Sequence, residues 1–289
     1  MSDAMALRIW DVEHGACAML APVINNVLGR LAMIDSGHTE YWRPSEHIRQ
    51  NLGRDRLDYL FVTNADQDHL SDLEGLWEND IHVATLTRNP HPSSEELRCI
   101  KLQGGSLTDD IERYLNIHRS YNQPVSEPFN NHMGGIRKRT FYNCYPDFTD
   151  TNNLSLVVFI EYNGFKILFP GDIEVAGWLA LLNRKDFREE LAGINILVAS
   201  HHGRQSGYCP ELFDYCSPQA VIISDKSIQH DTQLIAQNYR NQVKKIHPNG
   251  VIVANTMKRR HVLTTRRDGY INFAVDVDGN FIIETEYAG

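Results

Sequence analysis

The stretch Thr63-Asn64-Ala65-Asp66-Gln67-Asp68-His69 decides how this chain is read. It closes an apolar run, Leu57 to Thr63, that reads as a strand, and Leu70 to Glu78 beyond it reads as the start of a helix. Two carboxylates and an imidazole therefore crowd a single loop. At a strand end, side chains at positions i, i+2 and i+3 converge on one point. Carboxylates placed together in this way repel each other unless a cation compensates them. Taken alone, Asp68 also fits the start of the next helix, where unpaired N–H groups favour negative charge.

Other strand ends carry the same kind of residue. The hairpin Ser155 to Phe169, turning at Asn163-Gly164, runs through Pro170-Gly171 into Asp172. Asn195 to Ala199 reads as a strand that runs into Ser200-His201-His202-Gly203, and His230 lies a few residues beyond the strand Ala220 to Ser224. Open α/β folds assemble a site from distant sequence by placing polar groups where strands finish. The candidate metal ligands are Asp66, Asp68, His69, Asp172, His201, His202 and His230, with Asp66, Asp68 and His202 as the catalytic candidates. His38, His47, His82, His91, His118, His132, His247 and His261 have no companion at a telling position and read as surface or satisfied core groups. Trp10, Trp42, Trp77 and Trp178 read as packing residues.

Composition narrows the classes. A chain of 289 residues with 42% hydrophobic and 22% charged residues is an ordinary globular sequence, neither disordered nor a solenoid. Its 28 Lys+Arg against 37 Asp+Glu leave a net charge of −9, which disfavours a protein that coats duplex DNA but not an enzyme that cuts nucleic acid at a metal. No apolar run approaches the ~18 residues of a membrane span. Met1-Ser2-Asp3-Ala4-Met5 lacks the layout of a secretion signal. The five cysteines are scattered without a CxxC pair, as suits reduced thiols. The expected location is cytoplasmic. We expect one domain over residues 1–289, with a proline-broken, insertion-like region at about 85–150. A helix is expected there near Leu107 to Ile117 and loop with short strands elsewhere; whether the region is a lid, a dimer contact or a protein-partner surface stays open.

The ordered motifs resemble the metallo-β-lactamase fold, a four-layer αββα sandwich of the α/β class with a binuclear metal centre. More closely, they resemble the metallo-β-lactamase-like domain of bacterial competence DNA-uptake channel proteins and its free-standing soluble relatives. The matching segments are Asp11-Val12-Glu13-His14-Gly15-Ala16, Ile34-Asp35-Ser36-Gly37, Asn64 to His69, Asn152 to Val157, Gly171-Asp172 and His201-His202-Gly203. The resemblance covers most of the chain outside about 85–150. It also marks departures: family histidines are replaced by Asn64, Asp66 and Asn153, which leaves Asn64 and Asn153 as weak metal or substrate contacts. More oxygen and fewer nitrogen donors move the preference away from a purely zinc-type pair, leaving zinc, manganese or magnesium, one or two ions per chain.

A cation held by such residues acidifies water for attack on an ester. The resemblance implies a phosphodiester, hence a phosphodiesterase or nuclease acting on single-stranded nucleic acid or a nucleotide. Short basic runs, Arg137-Lys138-Arg139, Lys258-Arg259-Arg260 and Arg266-Arg267, fit a phosphate-binding strip as well as they fit a solvated face. Hydrolysis of a lactone, thioester or other small ester is the alternative within the fold. A catalytically degraded binding protein is the alternative outside catalysis.

Overall fold

The structure, a computed structural model, describes residues 4–227 and 233–287. Two sheets lie at its centre. Among the described residues the first comprises ten strands, with Ala4–Ile9 in the middle between Ala18–Ile24 and Ile271–Val275. The second comprises six, in the order Val262–Thr264, Ala220–Ile223, Ile196–Val198, Phe165–Phe169, Val157–Tyr162, Arg137–Phe141.

Burial along the strands explains the layering. Successive side chains point to opposite faces of a sheet, and in Val157–Tyr162 both faces are covered, so the sequence reads as a continuous apolar run instead of alternating. Val158 and Ile160 join Leu7, Ile9 and Phe61 in a core between the sheets. Val157 and Phe159 turn outward to pack with Trp178, Phe187 and Leu191 from helices on that side. On the far side of the first sheet, Met33, Leu60 and Val62 meet Leu73, Leu76, Leu97 and Ile111 of another helical layer. Three apolar cores separate four layers, α, β, β and α.

Direction of the strands then places the polar ends. Phe165–Phe169, Ile196–Val198, Ala220–Ile223 and Val262–Thr264 are mutually parallel, so they finish at one edge. In the first sheet Ala32–Ile34 and Tyr59–Phe61 are also parallel to each other.

Region 85–150 is more structured than its sequence suggested. The expected helix is present as Asp109–Ser120, and a second, Ser94–Leu102, precedes it. That second helix opens with a reciprocal cap, Ser93 Oγ accepting from Glu96 N and Glu96 accepting from Ser93 N. Leu97, Ile111 and Leu115 belong to the outer core of the first sheet. After Asp172 the chain forms two helices, Val175–Leu182 and Lys185–Leu191, separated at Asn183-Arg184.

His118 on the Asp109–Ser120 helix gives a pH signature. Burial, helped by the nearby Arg88 charge, lowers its pKa from 6.5 to about 4. Its Nε2 donates to the Pro92 carbonyl in the folded state. Between these values the unfolded chain binds the proton and the folded chain does not, so stability falls as pH falls. We expect His118 to remove up to roughly 3 kcal/mol over that window. Urea midpoints from pH 7 down to pH 4.5 check this, and the slope should flatten in His118→Gln.

Candidate metal centre

Asp68, His69, Asp172 and His202 meet at the edge where the strands finish. One ligand atom from each lies within 4.8 Å of every other. His69, Asp172 and His202 are buried, whereas Asp68 faces a cavity of about 550 Å³ that His14, His38, Asp66, Asp172 and His201 also line.

Each imidazole is locked from behind. His69 Nδ1 is 2.9 Å from Asp35 Oδ2, and His202 Nδ1 is 3.0 Å from the Ser224 carbonyl oxygen. Both acceptors require N–H at Nδ1, so Nε2 is the nitrogen each ring turns to the cluster, protonated while the carboxylates are uncompensated and a ligand once a cation displaces that proton. His69 Nε2 lies 3.1 Å from Asp172 Oδ1, and His202 Nε2 lies 3.0 Å from Asp68 Oδ2 and 3.4 Å from Asp172 Oδ2. None of these oxygens is aligned as a hydrogen-bond partner, so both buried Nε2 atoms are unsatisfied among the described residues.

Electrostatics point the same way. Burial opposes charge on His202, but Asp172 and Asp68 outweigh it and raise its pKa to about 10. His69 is likewise raised, against burial, by Asp172 and Asp35. Asp68 and Asp172 are held ionised against burial, Asp68 chiefly by His202 and Asp172 by His202 and His69. A pocket with two buried carboxylates and two converging imidazole nitrogens demands positive charge. Two nitrogen and two oxygen donors at this spacing fit a divalent cation.

Local backbone makes the convergence possible. His201 and His202 have φ of 50° and 53°, and Asp35 has φ of 59°. Left-handed non-glycine residues cost about 1–2 kcal/mol each and cluster at functional sites. Here the two consecutive turns send His202 into the cluster and leave His201 on the cavity wall. Gly15, at φ 137°, lets the loop after the first strand close on the metal loop; a Cβ there would lie 2.3 Å from the Asp68 carbonyl oxygen.

The other expected site residues fall in different places. Asp66 lines the cavity but stands outside the four-residue cluster. Thr151 Oγ1 donates to both its oxygens at 2.9 and 3.0 Å, Asn64 Nδ2 donates at 3.3 Å, and Lys101 forms an ion pair with it. Protein donors thus occupy the carboxylate that was expected to hold a cation or activate water. Asn153 does not face the cluster: its Oδ1 caps Glu174 N and Gly177 N, and its Nδ2 donates to Asp150. Asn64 Oδ1 is buried and unpaired among the described residues. His201 Nδ1 sits 2.9 Å from Ser206 Oγ and 3.2 Å from Glu174 Oε1, apart from the cluster. His230 lies outside the described residues.

Sequence reasoning missed four participants. His14 bridges Asp68 Oδ2 and Asp225 Oδ1, each at 3.4 Å, and His38, read as a surface or core group, lines the cavity. Lys101 comes from the unexpected helix, whose Ser93-to-Glu96 cap was a readable signal. Asp225 was readable as one more carboxylate at a strand end. The basic runs do not act together: Arg260 forks onto Asp268, Arg139 pairs with Glu190, and Lys138 bonds Thr87.

Four layers, two mixed sheets and a polar cluster at their shared edge define a metallo-β-lactamase fold. The chain is similar to ComE operon protein 3 of Bacillus subtilis (strain 168), 24% identical over 246 residues, which cover 76% of this chain and 29% of that protein. It therefore spans under a third of that relative's length. Among solved structures, a variant of the β-hydroxylase CmlA superposes with a TM-score of 0.50 and 11% identity, covering 93% of this chain and 53% of that one. CmlA is a diiron β-hydroxylase from Streptomyces venezuelae. The metallo-β-lactamase-fold protein YhfI from Bacillus subtilis gives a TM-score of 0.47 and 9% identity over 92% of this chain and 99% of that one. No family model matches the chain. Among the described residues, no helix is long and apolar enough to cross a membrane.

Proposed function

We propose that the protein is a metal-dependent hydrolase that cleaves phosphodiesters. The observation that carries this reading is the pair of buried, unsatisfied Nε2 atoms converging with Asp68 and Asp172 beside an open cavity. Bound there, a divalent cation supplies Lewis acidity and acidifies a water molecule. The chain supplies the rest. Asp35 and the Ser224 carbonyl hold the two imidazoles in the ligating tautomer. Lys101 neutralises Asp66, which favours a single cation per chain over a pair. His201, on the cavity wall with Nδ1 held by Ser206 and Glu174, hands a proton to the leaving oxygen. The phosphodiester is favoured over other esters by the resemblance of the ordered motifs to the metallo-β-lactamase-like domain of competence DNA-uptake proteins and by Arg204 and Arg266, which lie against His14 and Asp225.

Metal analysis together with a substrate panel tests the proposal: single- and double-stranded DNA, RNA, a cyclic dinucleotide, bis(p-nitrophenyl) phosphate, a lactone and a thioester. We expect one divalent ion per chain, and phosphodiester hydrolysis that chelation abolishes and Mn²⁺ or Zn²⁺ restores. Metal-dependent turnover of the lactone or thioester alone would replace the phosphodiester reading. No bound metal, with no turnover on adding any of these ions, would remove the hydrolase reading.

A further inference from the structure

Arg204 stands directly after His201-His202-Gly203, half-buried, and it has no ion pair among the described residues. Its Nε is buried without a hydrogen-bond partner there. Its Nη2 lies 3.4 Å from His14 Nε2, and the same nitrogen lies 3.4 Å from Asp68 Oδ2, so the guanidinium is one imidazole away from the candidate centre. Arg266 is close behind. Its Nη1 is 3.6 Å from Asp225 Oδ2, across from His14, and it too is buried without a directed partner.

Several other cations of the fold are matched by carboxylates, while Arg88, also without an ion pair, spends its Nη2 on the His118 and Tyr121 carbonyls. Lys101 is matched by Asp66, Arg113 by Glu74 and Arg260 by Asp268. A guanidinium withdrawn from water with donors unused is costly unless an anion completes it. Its planar fork suits the oxygens of phosphate or carboxylate.

We infer that Arg204, backed by Arg266, forms an oxyanion subsite beside the metal centre that binds a phosphoryl group of the substrate. This rests on the hydrolase reading for its role in turnover, but binding itself does not need a metal. Arg204 orients the substrate; it takes no part in bond cleavage. His14 separates the guanidinium from Asp68, so the bound oxyanion sits to one side of the metal.

The test uses inorganic phosphate as probe, titrated calorimetrically into the full chain, both metal-loaded and chelator-stripped, with acetate as a parallel arm. Wild type, Arg204→Gln, Arg204→Lys and the exposed control Arg267→Gln are compared, with thermal unfolding to verify the fold. We expect Arg204→Gln to weaken phosphate binding about tenfold or more in both metal states. Arg204→Lys should recover part of the loss, and Arg267→Gln should match wild type. With bis(p-nitrophenyl) phosphate, Arg204→Gln should raise KM and leave kcat within about twofold. Phosphate titrations that superimpose for wild type and Arg204→Gln overturn the subsite, even if hydrolysis is intact. Binding of acetate but not phosphate overturns the phosphoryl assignment. Arg204-dependent phosphate binding without any hydrolysis upholds the subsite while the hydrolase reading falls.

Discussion

Asp172→Ala protein is expected to leave purification without a bound divalent metal and to hydrolyse no ester above background. The reason lies in its position between the two imidazoles. Asp172 Oδ1 is 3.1 Å from His69 Nε2, and Oδ2 is 3.4 Å from His202 Nε2. Removing it leaves one carboxylate, Asp68, which is the most exposed member of the set. Two neutral nitrogens with one carboxylate hold a divalent ion far more weakly than the full set, because the anionic charge opposing the ion is halved. Asp172→Asn keeps the volume and tests charge alone, since an amide oxygen is a weak neutral donor. Metal content by mass spectrometry, with circular dichroism on the same samples, reads the outcome. Wild-type metal content in either variant would remove this cluster as the binding site.

Asp35→Asn is expected to damage both the site and the fold, although Asp35 is not a ligand. Three donors converge on its two oxygens: Thr63 N at 2.7 Å, Thr63 Oγ1 and His69 Nδ1 at 2.9 Å. Asparagine tolerates the left-handed backbone there, so the change isolates the chemistry. One oxygen becomes an NH₂ group facing a donor, which costs about 1–3 kcal/mol for a buried group. The His69 ring also loses its fixed tautomer, and losing such a supporting contact lowers metal affinity by about 10–100-fold. Urea unfolding and competition for metal against a chelator measure the two effects. An unchanged metal affinity would show that Asp35 does not orient His69.

Much of the site was legible because its signals are local. Asp68, His69, Asp172 and His202 each follow an apolar strand within a few residues, and parallel strands deliver such ends to one edge. Asp35 was legible only as part of a motif; its contact with His69 spans 34 positions and crosses between two strands. Lys101 was hidden because Pro90 and Pro92 make the region before it read as loop, although the Ser93-to-Glu96 cap is written in the sequence. His14 lies within a quoted motif and Arg204 directly after one, but neither motif says what the side chain meets, since His14 reaches Asp225 across 211 positions and Arg204 reaches His14 across 190.

The sequence by itself determined the strand ends that carry the ligands, since apolar runs and the residues that end them are properties of neighbours along the chain, and it implied the layered fold through the resemblance of its ordered motifs. The tertiary structure alone decided between His201 and His202, through two consecutive left-handed turns. It also decided that Asp66 pairs with Lys101 while Asp68 joins the cluster. Those choices rest on backbone torsion and on charges brought together from far apart, and neither leaves a pattern among adjacent residues.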